Sequence, residues 1–163
     1  MIEVLTHAQI CKKITRMSYE IYERNVKSDG IVIAGVSGMG AILASLLVKE
    51  LREISPLSVD QMEILLDKSD ITTSKVKFST NPDLKGKTAI LVDDVLNTGK
   101  TLAYALHPFL DTEVTKIEIA VLVNRSHGKY PLKPDYTGYE LSTTLNEHIL
   151  VDLSQDQYSV HLR

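Results

Sequence analysis

The segment Ala89-Ile90-Leu91-Val92-Asp93-Asp94-Val95-Leu96-Asn97-Thr98-Gly99-Lys100-Thr101 joins an apolar run to two adjacent carboxylates and then to a loop of small polar residues. Where Asn97, Thr98, Gly99, Lys100 and Thr101 lead into a helix, free backbone N–H groups, two hydroxyls and the positive end of the helix dipole together suit a phosphate monoester. Asp93 and Asp94 would repel that phosphate at contact. A little farther along the same ligand they suit a diol, whose hydrogen bonds they accept, or a divalent metal. Phosphate on one side and diol on the other describe a ribose 5-phosphate. Gly99-Lys100-Thr101 also invites a P-loop reading, but that motif needs a glycine five residues before Gly99, where Asp94 stands, so the spacing excludes it. The bland alternative is a strand ending in Asp-Asp that caps the next helix; the length of the pattern favours a site. A second loop, Gly35-Val36-Ser37-Gly38-Met39-Gly40, has glycines that let a backbone approach an anion closely. By itself it also reads as a plain strand-to-helix turn.

Such loops need a scaffold. From Thr6 to about Val26, Ile10, Ile14, Met17 and Ile21 step by helical intervals, which predicts an amphipathic helix. A second helix is expected from about Ala41 to Glu53 and a third over Thr101 to Leu110. Ile31 to Ala34, Thr88 to Val92 and Ile117 to Val123 are unbroken apolar runs, as expected of strands buried on both faces, and Glu63 to Leu66 reads as a further strand. Alternation of such strands with helices implies an α/β fold, a doubly wound parallel sheet flanked by helices, with ligands bound where strand C-termini open into loops. Ser69 to Lys87 is polar and aperiodic, a mobile loop or an irregular hairpin. Tyr139 to Leu141, His148 to Leu153 and Tyr158 to Leu162 read as edge strands and a small appendage.

The length, 163 residues with 44% apolar and 24% charged, fits a single domain over 1–163 with a buried core. No apolar run nears the ~20 residues of a membrane span, and the N-terminus lacks a signal-peptide order, so a cytoplasmic location is expected. The single cysteine, Cys11, falls among apolar helix positions and reads as a buried inert thiol. Eighteen Lys and Arg against 21 Asp and Glu give a net charge of −3, without the basic excess of a dedicated nucleic-acid binder.

Val92-Asp93-Asp94-Val95-Leu96-Asn97-Thr98-Gly99-Lys100-Thr101 resembles the phosphoribosyl-pyrophosphate binding motif of type I phosphoribosyltransferases. The resemblance implies that Asp93 and Asp94 hold the ribose hydroxyls and Mg²⁺, that Asn97 to Thr101 cradle the 5-phosphate, and that Ser37, Gly38, Met39 and Gly40 form the pyrophosphate loop. Ala120-Val121-Leu122-Val123-Asn124-Arg125-Ser126-His127, then Pro131, Asp135-Tyr136-Thr137-Gly138 and Thr143, is similar to a stretch of the pyrimidine-operon attenuation proteins that are also uracil phosphoribosyltransferases. Lys133 to Glu140 resembles hypoxanthine-guanine phosphoribosyltransferases. These likenesses imply a base site with Asn124 and Arg125, with Tyr136 as a stacking platform and the Thr137 backbone reading the base edge; a tyrosine packed under the loop is the alternative.

Several positions depart from those patterns. Asn97 stands where purine enzymes usually carry an aspartate that manages a base proton, which an amide cannot do. Asn124 replaces the Asp of the attenuation proteins and the Lys of the purine enzymes. Met39 and Lys68 replace arginines, Ser69 to Lys87 is shorter than the attenuation proteins' catalytic loop, and Gly128 replaces a basic residue. The implied reaction is displacement of pyrophosphate from ribose C1 by a nucleobase nitrogen, with uracil the expected acceptor and Asp93, Asp94 and Lys68 the catalytic groups. The alternatives are a weakly catalytic nucleotide-sensing regulator that binds RNA, and hypoxanthine-guanine salvage. The expected assembly is a homodimer or higher homo-oligomer.

Overall fold

A computed structural model describes residues 1–163. The chain opens with a strand, β1 (Ile2–Leu5), that the sequence reading missed, and turns at Thr6 into helix α1 (His7–Asn25). Thr6 Oγ1 accepts from the Gln9 backbone N–H at 3.3 Å, and Gln9 Oε1 accepts from the Thr6 N–H at 2.9 Å. This reciprocal capping box satisfies two otherwise orphaned donors and sets the helix start. Ile10, Ile14, Met17 and Ile21 form its buried face, as their spacing predicts, but Cys11 is only half-buried, beside His7.

Next come β2 (Ile31–Val36), α2 (Met39–Ile54), β3 (Val59–Leu65), a two-residue β4 (Lys77–Phe78), β5 (Thr88–Leu96), α3 (Lys100–Leu106), β6 (Lys116–Asn124), β7 (Tyr136–Glu140), β8 (Ile149–Asp152) and β9 (Ser159–Leu162). α3 is shorter than expected: His107–Phe109 tightens into a 3₁₀ turn containing Pro108, whose missing N–H and fixed ring end an α-helix. β3 begins earlier than the sequence reading, and β7 begins at Tyr136 rather than Tyr139. Of the two readings for Ser69 to Lys87, the hairpin holds, since Phe78 of β4 pairs antiparallel with Ile64 of β3.

Six strands form the main sheet in the order β4-β3-β2-β5-β6-β7, parallel except for β4. One face, with Ile31, Ile33, Ile90 and Val92, packs against α1 and α2; the other, with Val32, Ala34, Leu91 and Val121, packs against Leu102 and Ala105 of α3. This is the doubly wound sheet that the continuous apolar strands imply. The remaining strands pair antiparallel as β1-β9-β8, and this small sheet reaches back to β5 through β8. It is the expected small appendage and forms a hood.

Chain order now positions the loops. From β2 the chain crosses by α2 to β3 on one side, whereas β5 crosses by α3 to β6 on the other, so the strand order reverses between β2 and β5. Such a reversal leaves a crevice at the strand C-termini. Gly35 pairs with Val92, which brings the loop after β2 level with Asp93.

Candidate active site

Asp93 is 1% exposed on β5. Its Oδ1 accepts from the Asp94 backbone N–H at 2.9 Å, and Lys68 Nζ donates to its two oxygens at 3.2 and 3.3 Å. The same ammonium lies 3.8 Å from Asp94 Oδ1. Burial, then the charge of Asp94, push the Asp93 carboxyl up to about 7, against the opposing pull of Lys68. The structure therefore brings together two carboxylates and one lysine from segments 25 residues apart.

Across from them sits the glycine loop. Gly38 has φ +94°, with nothing within 4 Å of where a Cβ would stand, and no side chain caps α2 at that point. The first-turn amides of α2 ahead of Ala41 therefore have no intrahelical partners. Gly40 lies directly against the carboxylates: a Cβ there would fall 2.8 Å from the Val92 carbonyl oxygen and 3.0 Å from Asp93 Oδ1. Gly40→Ala is expected to cost about 1–3 kcal/mol and to displace Asp93, read as a lower melting temperature together with lost ligand affinity. Ser37 Oγ donates to the Leu66 carbonyl at 3.0 Å, tying this loop to the chain just ahead of Lys68. Met39 does not project into the loop's anion side. Its thioether accepts from the Leu153 N–H at 3.5 Å and packs on the core, joining loop to hood.

Gly99, with φ +90°, turns the chain from β5 into α3. Thr98 Oγ1 accepts from the Lys100 N–H at 3.2 Å, and the Thr98 carbonyl accepts from the N–H groups of Lys129 and Tyr130 at 2.9 and 3.1 Å. A cleft of about 90 Å³ runs from Lys68 and Asp93 along Asn97 to Thr101. A larger cavity of about 390 Å³ lies among Arg24, Lys27, Thr88 and Lys116, at the opposite end of the strands, and contains none of the motif residues.

The residues expected at the base site fare differently. Tyr136 is fully buried; its hydroxyl donates to Glu118 Oε1 at 2.9 Å and accepts from Asn25 Nδ2 at 3.3 Å. It pairs with Ala120, well below the sheet's mouth. The stacking-platform expectation is corrected, because no face of the ring is open to a ligand. Tyr136→Phe is expected to destabilise the fold by about 1–2 kcal/mol through the lost buried hydrogen bond, with ligand affinity unchanged in titration. Thr137 is also mid-strand, and its carbonyl accepts from Arg16 Nη2 at 3.2 Å, so its edge-reading role is corrected too. Asn124, the last residue of β6, is occupied, donating to Glu140 Oε1 at 3.2 Å and accepting from the Ser126 N–H at 3.1 Å. Arg125 is 8% exposed; it bonds Asn97 on one side and Thr143, Thr144 and Glu147 on the other. Sequence reasoning did not find the 143–147 segment as a partner of Arg125, since nothing local in it signals an arginine's acceptors.

Comparison with known proteins agrees with this picture. Residues 2–157 match the model of the phosphoribosyl transferase domain family. The bifunctional protein PyrR of Bacillus mycoides is 36% identical over 172 residues, covering 97% of this chain and 96% of the relative. That of Haemophilus ducreyi is 35% identical over 156 residues, covering 91% and 87%. Among solved structures, a hypoxanthine-guanine phosphoribosyltransferase of Bacillus anthracis superposes with a TM-score of 0.77 at 20% identity, covering 99% of this chain and 97% of that one. The hypoxanthine phosphoribosyltransferase of Trypanosoma cruzi gives 0.78 at 15% identity, covering 98% and 95%. At such identities the structural likeness speaks for the fold.

Proposed function

The chain belongs to the phosphoribosyl transferase family, and we propose that within it this protein, as one domain over 1–163, transfers the ribose 5-phosphate of phosphoribosyl pyrophosphate to uracil or a close relative. The observation that carries this reading is the placement of Asp93 and Asp94 between the Asn97–Thr101 loop and the Gly38–Gly40 backbone at the reversal of strand order. Asn97 to Thr101 hold the 5-phosphate with loop amides and hydroxyls, Asp93 and Asp94 accept the ribose hydroxyls, and the Gly38–Gly40 amides face the leaving pyrophosphate. As the C1–oxygen bond breaks, positive charge develops on the sugar, and the two carboxylates stabilise it. The base nitrogen attacks the opposite face and loses its proton to solvent; no covalent nucleophile of the chain takes part.

A divalent ion fits Asp93 and Asp94. Lys68 already places a cation within 3.2–3.8 Å of both, and Mg²⁺ uses one or two carboxylates together with substrate phosphates rather than an all-protein cage. No group of three or more His, Cys, Asp or Glu is available to make such a cage. When bound, Mg²⁺ supplies charge neutralisation to the departing pyrophosphate.

A second reading rests on Met39. With its thioether turned into the core, the pyrophosphate loop offers no side-chain cation, which suits a protein that senses nucleotides and turns over slowly. The names of the PyrR relatives call those proteins bifunctional, and an RNA-regulatory role is the second function this reading assigns here. No helix is long and apolar enough to cross a membrane.

Isothermal titration with phosphoribosyl pyrophosphate and Mg²⁺, followed by a panel of free bases assayed for pyrophosphate release, tests the proposal. Binding with release on uracil is the expected result. Binding without release on any base selects the sensing reading, and absence of binding overturns both.

A further inference from the structure

We propose that Arg125 fixes the amide of Asn97 as a hydrogen-bond donor, and that this makes the site select a base carrying a carbonyl oxygen beside the nitrogen that attacks ribose. The inference rests on the transferase reading above and names the feature of the base that the site reads.

An arginine has five N–H donors and no acceptor. In Arg125, Nε donates to Thr143 Oγ1, Nη2 donates to the carbonyls of Thr144 and Glu147, and Nη1 donates to Asn97 Oδ1 at 3.3 Å. Three bonds to the 143–147 segment hold the planar fork, so it cannot turn to meet a flipped amide. The side chain is sheltered, and its own N–H donates to the Leu96 carbonyl at 2.9 Å, one residue from Asn97. Orientation of an asparagine amide is ordinarily a matter of choosing between nearly identical atoms. Here the choice is chemically forced, because a donor-only neighbour must face the oxygen.

The Asn97 NH₂ is then the end left for the cleft that Asn97 lines with Asp93 and Thr98. It recognises an acceptor and repels an N–H. In the transferase reading the loop amides beyond Thr98 serve the phosphate, whereas Arg125 links Asn97 to the 143–147 segment. The remaining acceptor is on the base. A carboxylate here would demand the reverse, an N–H on the base.

Nucleotide titration tests this without requiring turnover. Uridine 5′-phosphate, with a carbonyl beside its glycosidic nitrogen, and inosine 5′-phosphate, without one, are titrated into wild type, Asn97→Ala, Asn97→Asp, Arg125→Met and the Asn97→Ala/Arg125→Met double variant. Expected losses for the uridine nucleotide are roughly 10-fold in Asn97→Ala and more in Asn97→Asp. The inosine nucleotide should stay within about threefold in Asn97→Ala and Arg125→Met, which keep the backbone amides of the phosphate loop, and should lose less than the uridine nucleotide in Asn97→Asp, whose added charge lies beside that loop. Arg125→Met should lose most of the same preference, and the double variant should be no worse than Asn97→Ala alone, the non-additivity of groups that act as one. A purely structural Arg125 would instead weaken both nucleotides alike and add to Asn97→Ala. That pattern, or an unchanged uridine preference in the two exposed Asn97 variants, overturns the inference while leaving the transferase reading standing. Failure of wild type to bind either nucleotide overturns both.

Discussion

Asp94→Asn is expected to lower the rate of phosphoribosyl transfer by at least about 100-fold, equivalent to ~2.7 kcal/mol of transition-state stabilisation, and to leave the fold intact. The side chain is 18% exposed, and its carboxylate lies beside that of Asp93 with Lys68 as its one ion-pair partner, at 3.8 Å. Exchange for a neutral amide of the same shape therefore removes charge without removing packing. Under the proposed mechanism, what is lost is one of two negative groups beside the carbon that becomes positive, together with an acceptor for a ribose hydroxyl. Circular dichroism and a melting temperature within a few degrees of wild type would separate this loss from unfolding. Unchanged transfer rates would remove Asp94 from the ribose site.

Asp93→Asn should also abolish most activity, yet make the protein more stable, and the gain should grow with pH. Asp93 titrates near 3.8 as a free side chain and near 7 in the folded protein. Between these values the folded state holds a proton that the unfolded chain has lost, so stability is full at low pH and falls as pH rises through 7. An amide does not titrate, which removes that slope. At pH 8 the wild type keeps a desolvated carboxylate, offset in part by a Lys68 ammonium that is itself 47% exposed. Relieving it is expected to stabilise the variant by about 1–3 kcal/mol, a rise of several degrees in melting temperature, with a smaller rise at pH 5. Melts in phosphate-free buffer at the two pH values check the sign; equal shifts, or a fall at pH 8, would show that the buried Asp93 carboxylate is not a net cost to the fold. The two aspartates thus differ in kind: one is costly to the fold and kept for the site, the other is nearly free.

Much of this was legible in the chain. The runs Ile31 to Ala34, Ala89 to Val92 and Ile117 to Val123 become β2, β5 and β6 because a strand covered on both faces must be apolar at every position, a signal contained within a few residues. The Asp93 to Thr101 motif was readable for the same reason, since a strand end, a turn and a helix start are adjacent along the chain. Strand β1 escaped because its partner is β9, Ile2 pairing with Leu162, and four residues carry too little pattern to announce such a partner.

The sequence alone determined the alternation of strands and helices, the run of two carboxylates and small polar residues after β5, and the family, since these rest on residue types at fixed local spacing. Only the tertiary structure decided which loops face one another, that Lys68 reaches Asp93, that Met39 turns into the hood, that Tyr136 is sealed beneath α1, and that Arg125 orients Asn97. Each of these depends on pairing between segments far apart in sequence, where register and burial choose among partners that the local pattern leaves equivalent.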